Sequence, residues 1–386
     1  MKKLLFPILF LSFLYGDQQK TTLSLKQIYY DKSKAETEFS GSTTYQVKQA
    51  DLNTKLVVEY LYNSEHKKQY IYINEAFVTK EFKNYSVTVG KVIQYWGELE
   101  GYNITDVFNQ KNYLYDPLNK DKKIGSWALL TSRYVGNNTF EIGMKFFEGN
   151  QKYPKSTAPF YPFTVGYENG LAGKHSRWNP TFHAKYSFVT DDIVESETSL
   201  IYQQGFDNKR AISLSSNNQL TQSAYKSKKY MIHSNIIKGD TIVKLEAAYT
   251  DVDDDAPVSD YQQVAVGIEQ NIYNIMGIDT SVHAEYYNYQ YKNKKQENID
   301  ISELYNNDIF LAAKLNFNDV DSSEIKVGIL YDLDTNEQIL KAEVQTRVKD
   351  QVILHGEVMH IVNSTKSIAS NFKDKTRSNI DISYNF

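Results

Sequence analysis

The sequence has no cysteine, only 7 proline residues among its 386 residues, and no long apolar run after residue 16. Without cysteine no disulfide can stabilise the fold, and no lipid can be attached through an N-terminal cysteine. A helix that crosses a membrane needs about 20 consecutive apolar residues. These absences exclude a disulfide-rich secreted domain, a lipoprotein and a protein with helical membrane spans.

Aromatic residues are plentiful by contrast. They make up 14% of the chain, which contains 31 tyrosine residues. Tyrosine prefers the boundary between membrane and water, where its ring is buried and its hydroxyl stays hydrated. The formal net charge of -4 argues against binding to nucleic acid and does not select a solute.

The first 16 residues, MKKLLFPILFLSFLYG, have the pattern of a secretory signal peptide. Lys2 and Lys3 precede an apolar stretch that is too short to span a membrane, and the small residue Gly16 ends it. We expect cleavage near Gly16, so that residues 17–386 form the exported protein.

The last eight residues, NIDISYNF, alternate between an apolar and a polar face. Ile380, Ile382, Tyr384 and Phe386 share the apolar face. An alternating segment that ends in phenylalanine resembles the closing strand of outer-membrane barrels, whose last residue the barrel assembly machinery reads. Together with the signal peptide, Phe386 predicts a barrel in the outer membrane of a Gram-negative bacterium.

Eighteen segments have the pattern of membrane-spanning strands, which need about 9–11 residues each. They are 21–30, 39–48, 52–62, 70–81, 85–97, 125–135, 138–149, 178–190, 195–206, 226–237, 241–250, 260–273, 278–292, 309–318, 323–333, 339–348, 351–362 and 377–386. The fold class is therefore predicted to be all-β. We expect one transmembrane, antiparallel, up-and-down β-barrel of about 18 strands, with 16 strands as the alternative.

Short and long connections alternate between these segments. The connections 48–51, 82–84, 136–137, 191–194, 238–240, 274–277, 318–322 and 349–351 are short. Many of the others are long, among them 98–124, 150–177, 207–225, 293–308 and 363–376. Short periplasmic turns and longer external loops are typical of outer-membrane barrels whose two chain ends lie in the periplasm.

Many of the predicted strands carry charge on one face. In 339–348, Lys341 and Arg347 alternate with Leu340 and Val344. A lysine or arginine that faces lipid at mid-depth costs about 2–4 kcal/mol. The charged faces should therefore line a water-filled lumen.

The hairpin 70–97 predicts one specific ion pair. Its turn is centred on Lys83, and both Glu75 and Lys91 lie eight residues from that centre. Opposed acidic and basic side chains on one face of a sheet stabilise each other. We expect Glu75 and Lys91 to pair on the lumen wall, although a register shift of one residue would separate them.

Residues 73–112, INEAFVTKEFKNYSVTVGKVIQYWGELEGYNITDVFNQKN, resemble a group of porin-like outer-membrane proteins. That group has a Glu-Ala-aromatic strand, a turn, a Gly-basic strand that ends in Trp-Gly, and an acidic loop with asparagine. The matching residues are Glu75, Ala76, Phe77, Gly90, Lys91, Trp96, Gly97, Asp106 and Asn109. Gln110 and Lys111 stand where the group usually has proline and aspartate.

In porins the third external loop folds into the barrel and narrows it, so the resemblance implies a constriction formed by 98–124. Charged groups at a constriction filter ions and small solutes by sign and size. A solvated surface loop is the alternative, with Tyr95 and Trp96 in the outer aromatic girdle. The candidate pore-lining residues are Glu75, Lys91, Glu98, Glu100, Asp106, Asp116, Arg133, Lys341 and Arg347.

The sequence contains no hydrolase or metalloprotease motif of the forms G-x-S-x-G or H-E-x-x-H. The acidic run 251–255 is not followed by the glycine and glutamate of a calcium loop. His355 and His360 fall on opposite faces of one strand, which disfavours a shared metal. We therefore expect no enzymatic activity, no metal site and no cofactor.

The predicted function is that of a porin, a passive diffusion channel for small hydrophilic solutes or ions. The expected partners are outer-membrane lipid, lipopolysaccharide, the barrel assembly machinery and the solutes themselves. A substrate-specific exporter or uptake barrel and a structural or adhesive barrel are the alternatives, and a gated importer is disfavoured because no plug domain precedes the first predicted strand. The sequence does not distinguish a homotrimer from a monomer.

Overall fold

The computed structural model describes residues 18–64, 68–114, 122–171, 180–191, 194–256, 258–292, 304–364 and 367–386. The predicted signal peptide, 1–16, lies outside the described residues.

Eighteen antiparallel strands form one closed barrel. They are β1 (Gln18–Tyr30), β2 (Glu36–Gln49), β3 (Leu52–Asn63), β4 (Lys68–Glu81), β5 (Tyr85–Val92), β6 (Ser126–Val135), β7 (Asn138–Lys145), β8 (Thr181–Thr190), β9 (Glu195–Phe206), β10 (Lys226–Lys238), β11 (Thr241–Val252), β12 (Tyr261–Ile275), β13 (Ile278–Tyr291), β14 (Asn307–Asn316), β15 (Glu324–Asp332), β16 (Gln338–Lys349), β17 (Val352–Val362) and β18 (Thr376–Asn385). Each strand pairs with its sequence neighbours, and β1 also pairs with β18. The predicted 18-strand, up-and-down barrel is confirmed.

The connections differ between the two ends of the barrel. At one end, here called the turn end, they are short, as at 50–51, 136–137 and 350–351. At the other, the loop end, the longest run over 93–125, 146–180 and 207–225. Both described chain ends lie at the turn end, where the backbones of Thr21 and Phe386 exchange hydrogen bonds of 2.8 and 2.9 Å. The predicted alternation of short turns and long loops is therefore confirmed.

The outer face of the barrel is apolar between two aromatic girdles. Exposed aliphatic side chains cover its middle, among them Ile71, Val89, Ile142, Leu200, Val266, Leu311, Val344 and Ile382. The girdle near the loop end includes Tyr29, Tyr62, Trp127, Tyr230, Tyr249 and Tyr286, and that near the turn end includes Phe82, Tyr85, Phe140, Tyr384 and Phe386. An apolar band between aromatic girdles is typical of a barrel that spans a membrane. No helix in the described part of the chain is long and apolar enough to cross one.

Two strands end four or five residues earlier than the sequence predicts. β5 ends at Val92 rather than at residue 97, and β7 ends at Lys145 rather than at 149. At both places the chain leaves the wall and turns into the lumen, where its side chains are buried. Trp96 and Glu148, which were expected on strands, therefore belong to loops.

Candidate functional site

The loop that follows β5 folds into the barrel. Its first anchor is Trp96, whose side chain is 2% exposed and lies 5.7 Å from the ring of Phe108 and 5.1 Å from that of His183. His183 is on the inner face of β8, so Trp96 packs inside the lumen and not in the outer girdle. The backbone on either side of Trp96 therefore runs into the barrel rather than over its outer surface.

Gly97 allows the loop backbone to reach the opposite wall. Its φ is +90°, a left-handed value that disfavours other residues. A Cβ atom at this position would lie 2.3 Å from the carboxylate of Glu246 on β11. Glycine is thus required at this position by backbone conformation and by space.

Two buried carboxylates of the wall hold the inserted backbone. Glu246 accepts hydrogen bonds from the N–H groups of Glu98 at 2.8 Å and Thr105 at 2.9 Å. Glu285 on β13 accepts from the N–H groups of Glu100 at 2.7 Å and Gly101 at 2.8 Å. A carboxylate that accepts several backbone N–H groups forms charge-assisted bonds, which are stronger than neutral ones. These contacts fix the loop across the lumen.

The base of the loop is closed by Asn109. Its amide donates to the carbonyl oxygens of Val92 at 3.0 Å and Ile124 at 3.1 Å, and its carbonyl accepts from the N–H of Gln94 at 2.8 Å. The side chain therefore joins the strand that leaves the wall to the segment that returns to it. This gives a structural role to one of the residues singled out by the porin-like resemblance.

Asp106 is an internal brace of the same loop. Its carboxylate lies 3.0 Å from the Nζ atom of Lys111 and 2.6 Å from that of Lys123. All three side chains are at most 5% exposed. Asp106 therefore stabilises the loop and does not face the open lumen.

A second loop lies over the mouth of the barrel. It begins after β7, and Phe160 within it packs against Phe372 on the far side, with 5.1 Å between the ring centroids. The guanidinium group of Arg377 on β18 lies 5.6 Å from the ring of Phe160. The sequence predicts 150–177 as a long loop but gives no sign that it crosses the mouth.

Buried ions attach this second loop to its neighbour. Glu148 contacts Lys145 and Arg210, each at 2.7 Å, and the Glu148 and Arg210 side chains have no exposed area. Asp207 contacts the Nζ atom of Lys229 at 2.9 Å. Burial alone would raise the pKa of Asp207, but the Lys229 ammonium group and the hydrogen bonds from the Lys209 N–H and the Tyr261 hydroxyl together outweigh burial, and the pKa lies below its usual value. The ionised Asp207 therefore stabilises the folded protein at pH values above the ordinary pKa of aspartate. This stabilisation is lost as the pH falls through the lowered pKa of the folded state.

We expect an Arg210→Met variant to loosen the loops at this end. Breaking a buried ion pair by removing one partner costs about 3–5 kcal/mol, because the other charge stays buried. Limited proteolysis of the folded protein in detergent should give faster cleavage within 146–171 and 207–225. Arg347→Met, at an exposed position, is the control. Equal cleavage rates in the two variants would contradict this role for Arg210.

An open chamber remains beside the inserted loop. It has a volume of about 980 Å³ and is bounded by β1–β4 and β12–β18 and by Glu100, Gly101 and Tyr102 of the loop. Along β18 its wall extends from Arg377 to Ser383. Six residues of strand correspond to about 20 Å at 3.3 Å per residue. The chamber therefore runs along much of the barrel axis.

Two of the predicted pore-lining residues border the chamber, and a third lies on the same inner face. Glu100 and Lys341 line it directly. Arg347 alternates with Val348 and shares the face of Lys341, at the exposed turn end. Glu98 is exposed and contributes its backbone N–H to Glu246. Asp116 lies outside the described residues.

The predicted pair of Glu75 and Lys91 does not form. Lys91 lies opposite Ala76, and Glu75 instead contacts Lys55 at 2.8 Å. The register is therefore shifted by one residue, and the hairpin centre lies between Lys83 and Asn84 rather than at Lys83. On β5, Lys91 shares the outward face with Val89, and its amino group donates to the carbonyl oxygen of Ile73 at 2.6 Å.

Arg133 also lies on the outer face, contrary to expectation. It pairs in register with Tyr85 and Phe140, two exposed aromatic residues of the turn-end girdle. Both cations lie at the rims of the apolar band, where a long basic side chain can extend its charge to water. The rule that cations face the lumen therefore applies at mid-depth but not at the rims.

Several residues of the site were not singled out from the sequence. Alternation placed Glu246 on the polar face of its strand, but nothing indicated its contact with the loop. Its hydrogen-bond partner Glu98 is 148 residues away along the chain. The other missed residues include Glu285, Tyr287, Lys314, Glu343, Glu357 and Arg377.

No family model and no curated protein sequence matches the chain. Among solved structures, it is similar to OccK2 (OpdF) of Pseudomonas aeruginosa in complex with glucuronate, with 8% identity, 96% of each chain covered and a TM-score of 0.57. OccAB4 of Acinetobacter baumannii has 9% identity, with 96% of this chain and 98% of that chain covered and a TM-score of 0.57. OccK11 (OpdR) of Pseudomonas aeruginosa has 9% identity, with 96% of this chain and 97% of that chain covered and a TM-score of 0.54. At these identities the likeness establishes a shared fold: the chain has the 18-strand barrel architecture of the Occ proteins.

Proposed function

We propose that this chain is a porin, a passive diffusion channel for small hydrophilic solutes or ions in the outer membrane of a Gram-negative bacterium. The observation that carries the proposal is the charged chamber of about 980 Å³ beside an inserted loop. A structural or adhesive barrel would be expected to fill its lumen with side chains, and the chamber argues against that role. The apolar outer band supports a membrane location.

Further parts of the proposal rest on the sequence and on the fold. Outer-membrane porins share this barrel, which supports the same location for this chain. Export by a cleaved signal peptide, 1–16, follows from the pattern of that segment. The terminal Phe386 supports recognition by the barrel assembly machinery, and lipopolysaccharide would contact the girdle at the loop end.

Planar-bilayer recordings test the channel directly. We expect the purified barrel to give discrete conductance steps and a small reversal potential in a salt gradient, because the chamber carries basic and acidic residues in similar number. A complete absence of conductance steps would contradict the porin proposal.

A matched pair of variants tests which wall lines the pore. We expect Lys341→Gln to shift selectivity towards cations, because Lys341 borders the chamber. One charge about 6 Å from a passing ion in water changes its energy by under 1 kcal/mol, which corresponds to a permeability change of roughly two- to threefold. Lys91→Gln removes the same charge from the outer face and should leave the reversal potential unchanged. Equal shifts in the two variants would contradict the assignment.

A further inference from the structure

The charged side chains that line the chamber are balanced and closely paired. Among its described lining residues, six are lysine or arginine and seven are aspartate or glutamate. Glu357 lies 3.1 Å from the Nζ atom of Lys341 and 2.6 Å from Nη2 of Arg377. Opposite charges at such distances largely cancel each other's field a few ångströms away. A dissolved anion or cation therefore meets little net attraction.

An uncharged polyol interacts with such pairs differently. A lysine ammonium group has three donors and a carboxylate has about four acceptor positions, so an ion pair keeps hydrogen-bonding capacity. A hydroxyl group both donates and accepts, and neighbouring hydroxyls can contact both members of a pair. Ser24 on β1 pairs in register with Ser40 on β2 and with Ser383 on β18, and these three residues add hydroxyl groups to the same wall.

Aromatic rings border the chamber towards the loop end. Tyr102 of the inserted loop stacks on Tyr305, with 5.0 Å between centroids and 23° between planes. Phe310 on β14 pairs in register with Leu330 on β15, and both border the chamber. Tyr305 and Phe310 are half-buried, so part of each ring remains accessible. Such rings offer an apolar surface to the C–H face of a sugar ring.

We propose that this chamber contains a binding subsite for uncharged saccharides, with the aromatic rings packing against the sugar and the ion pairs bonding its hydroxyls. The inference rests on the proposed porin function and names the solute class. The volume of about 980 Å³ is at the upper end of the range of about 300–1,000 Å³ typical of small-molecule sites. It therefore accommodates a monosaccharide or a disaccharide.

Current block by three sugars of one ring size tests the charge preference. Glucose, glucuronate and glucosamine differ in charge, and each is added to single pores in a planar bilayer. We expect glucose to reduce or interrupt the ionic current at lower concentration than either charged sugar. Equal or stronger block by glucuronate or by glucosamine would overturn the proposal in favour of a charged solute.

A ring-deletion variant tests the aromatic surface. Phe310→Leu keeps an apolar side chain and removes the ring, and we expect the half-blocking concentration of glucose to rise roughly three- to tenfold. Tyr305→Leu is the second variant, with the same expectation. Phe182→Leu, on the outer face of β8, is the control, and its half-blocking concentration of glucose should equal that of the wild type.

The outcomes separate this inference from the porin function. Conductance steps without preferential glucose block, or with block unchanged in both ring-deletion variants, would overturn the saccharide subsite and leave the porin intact. A lack of conductance steps in the wild-type protein would contradict the porin function, and with it the subsite.

Discussion

A Glu246→Ala variant should release the inserted loop and raise the single-channel conductance. Glu246 accepts hydrogen bonds from the N–H groups of Glu98 and Thr105 and from the Thr105 hydroxyl. Each buried donor left without an acceptor costs about 1–3 kcal/mol. The inserted position of the loop is therefore destabilised, and we expect a larger current with frequent switching between levels.

The barrel itself should tolerate this change. Burying a carboxylate costs free energy, so the alanine removes an unfavourable term from the wall while it removes the acceptor from the loop. Strand pairing is made by backbone groups and does not involve the Glu246 side chain. Glu197→Ala, which removes an exposed acid from the inner face of β9, controls for the loss of lumen charge. Equal conductance in the two variants would contradict the anchoring role of Glu246.

The strands were predictable because two local signals agree on them. Alternation of apolar and polar residues marks each strand, and the turns fix where a strand must end. At 339–348, for example, Leu340 and Val344 face outward while Lys341 and Glu343 face the lumen, as the structure has them. Barrel closure then follows because edge strands cannot be left unpaired in lipid, and an even strand number makes the first and last strands antiparallel.

The two misplaced cations show where charge is a poor guide. On β5 the pattern alone groups Lys91 with Val87 and Val89, and the structure follows the pattern. On β6 it likewise groups Arg133 with Trp127 and Leu129. The expectation that every cation faces water inside the lumen neglects the rims, where water is reached from the outer face as well.

The interior of the loop could not be predicted from local sequence. Its acids look alike in the sequence, yet Asp106 is buried between two lysines while Glu100 borders the chamber. What separates them is the partner, and the carboxylate that binds the Glu100 N–H is 185 residues away in the chain. Alternation has no information on contacts of this range.

Asp106→Asn is the second variant with a large expected effect. The substitution keeps the size of the side chain but removes the charge shared by Lys111 and Lys123. Loss of one partner from a buried ion pair costs about 3–5 kcal/mol. We expect single-channel currents with an unstable level and frequent closures, because a loop with two insufficiently compensated ammonium groups adopts other positions in the lumen.

Three comparisons make the Asp106 prediction specific. Adding Lys111→Met to Asp106→Asn removes one of the buried cations, and we expect it to restore part of the current stability. Asp51→Asn is the matched control, because Asp51 also contacts a lysine, Lys80, but at the exposed turn end, where an ion pair contributes little. The temperature at which the barrel unfolds in detergent should stay close to the wild-type value in all three variants, because the loop ions take no part in strand pairing. A stable wild-type current in Asp106→Asn would show that the inserted loop is held by the wall carboxylates alone, whereas a large fall in unfolding temperature would place Asp106 in the stability of the barrel itself.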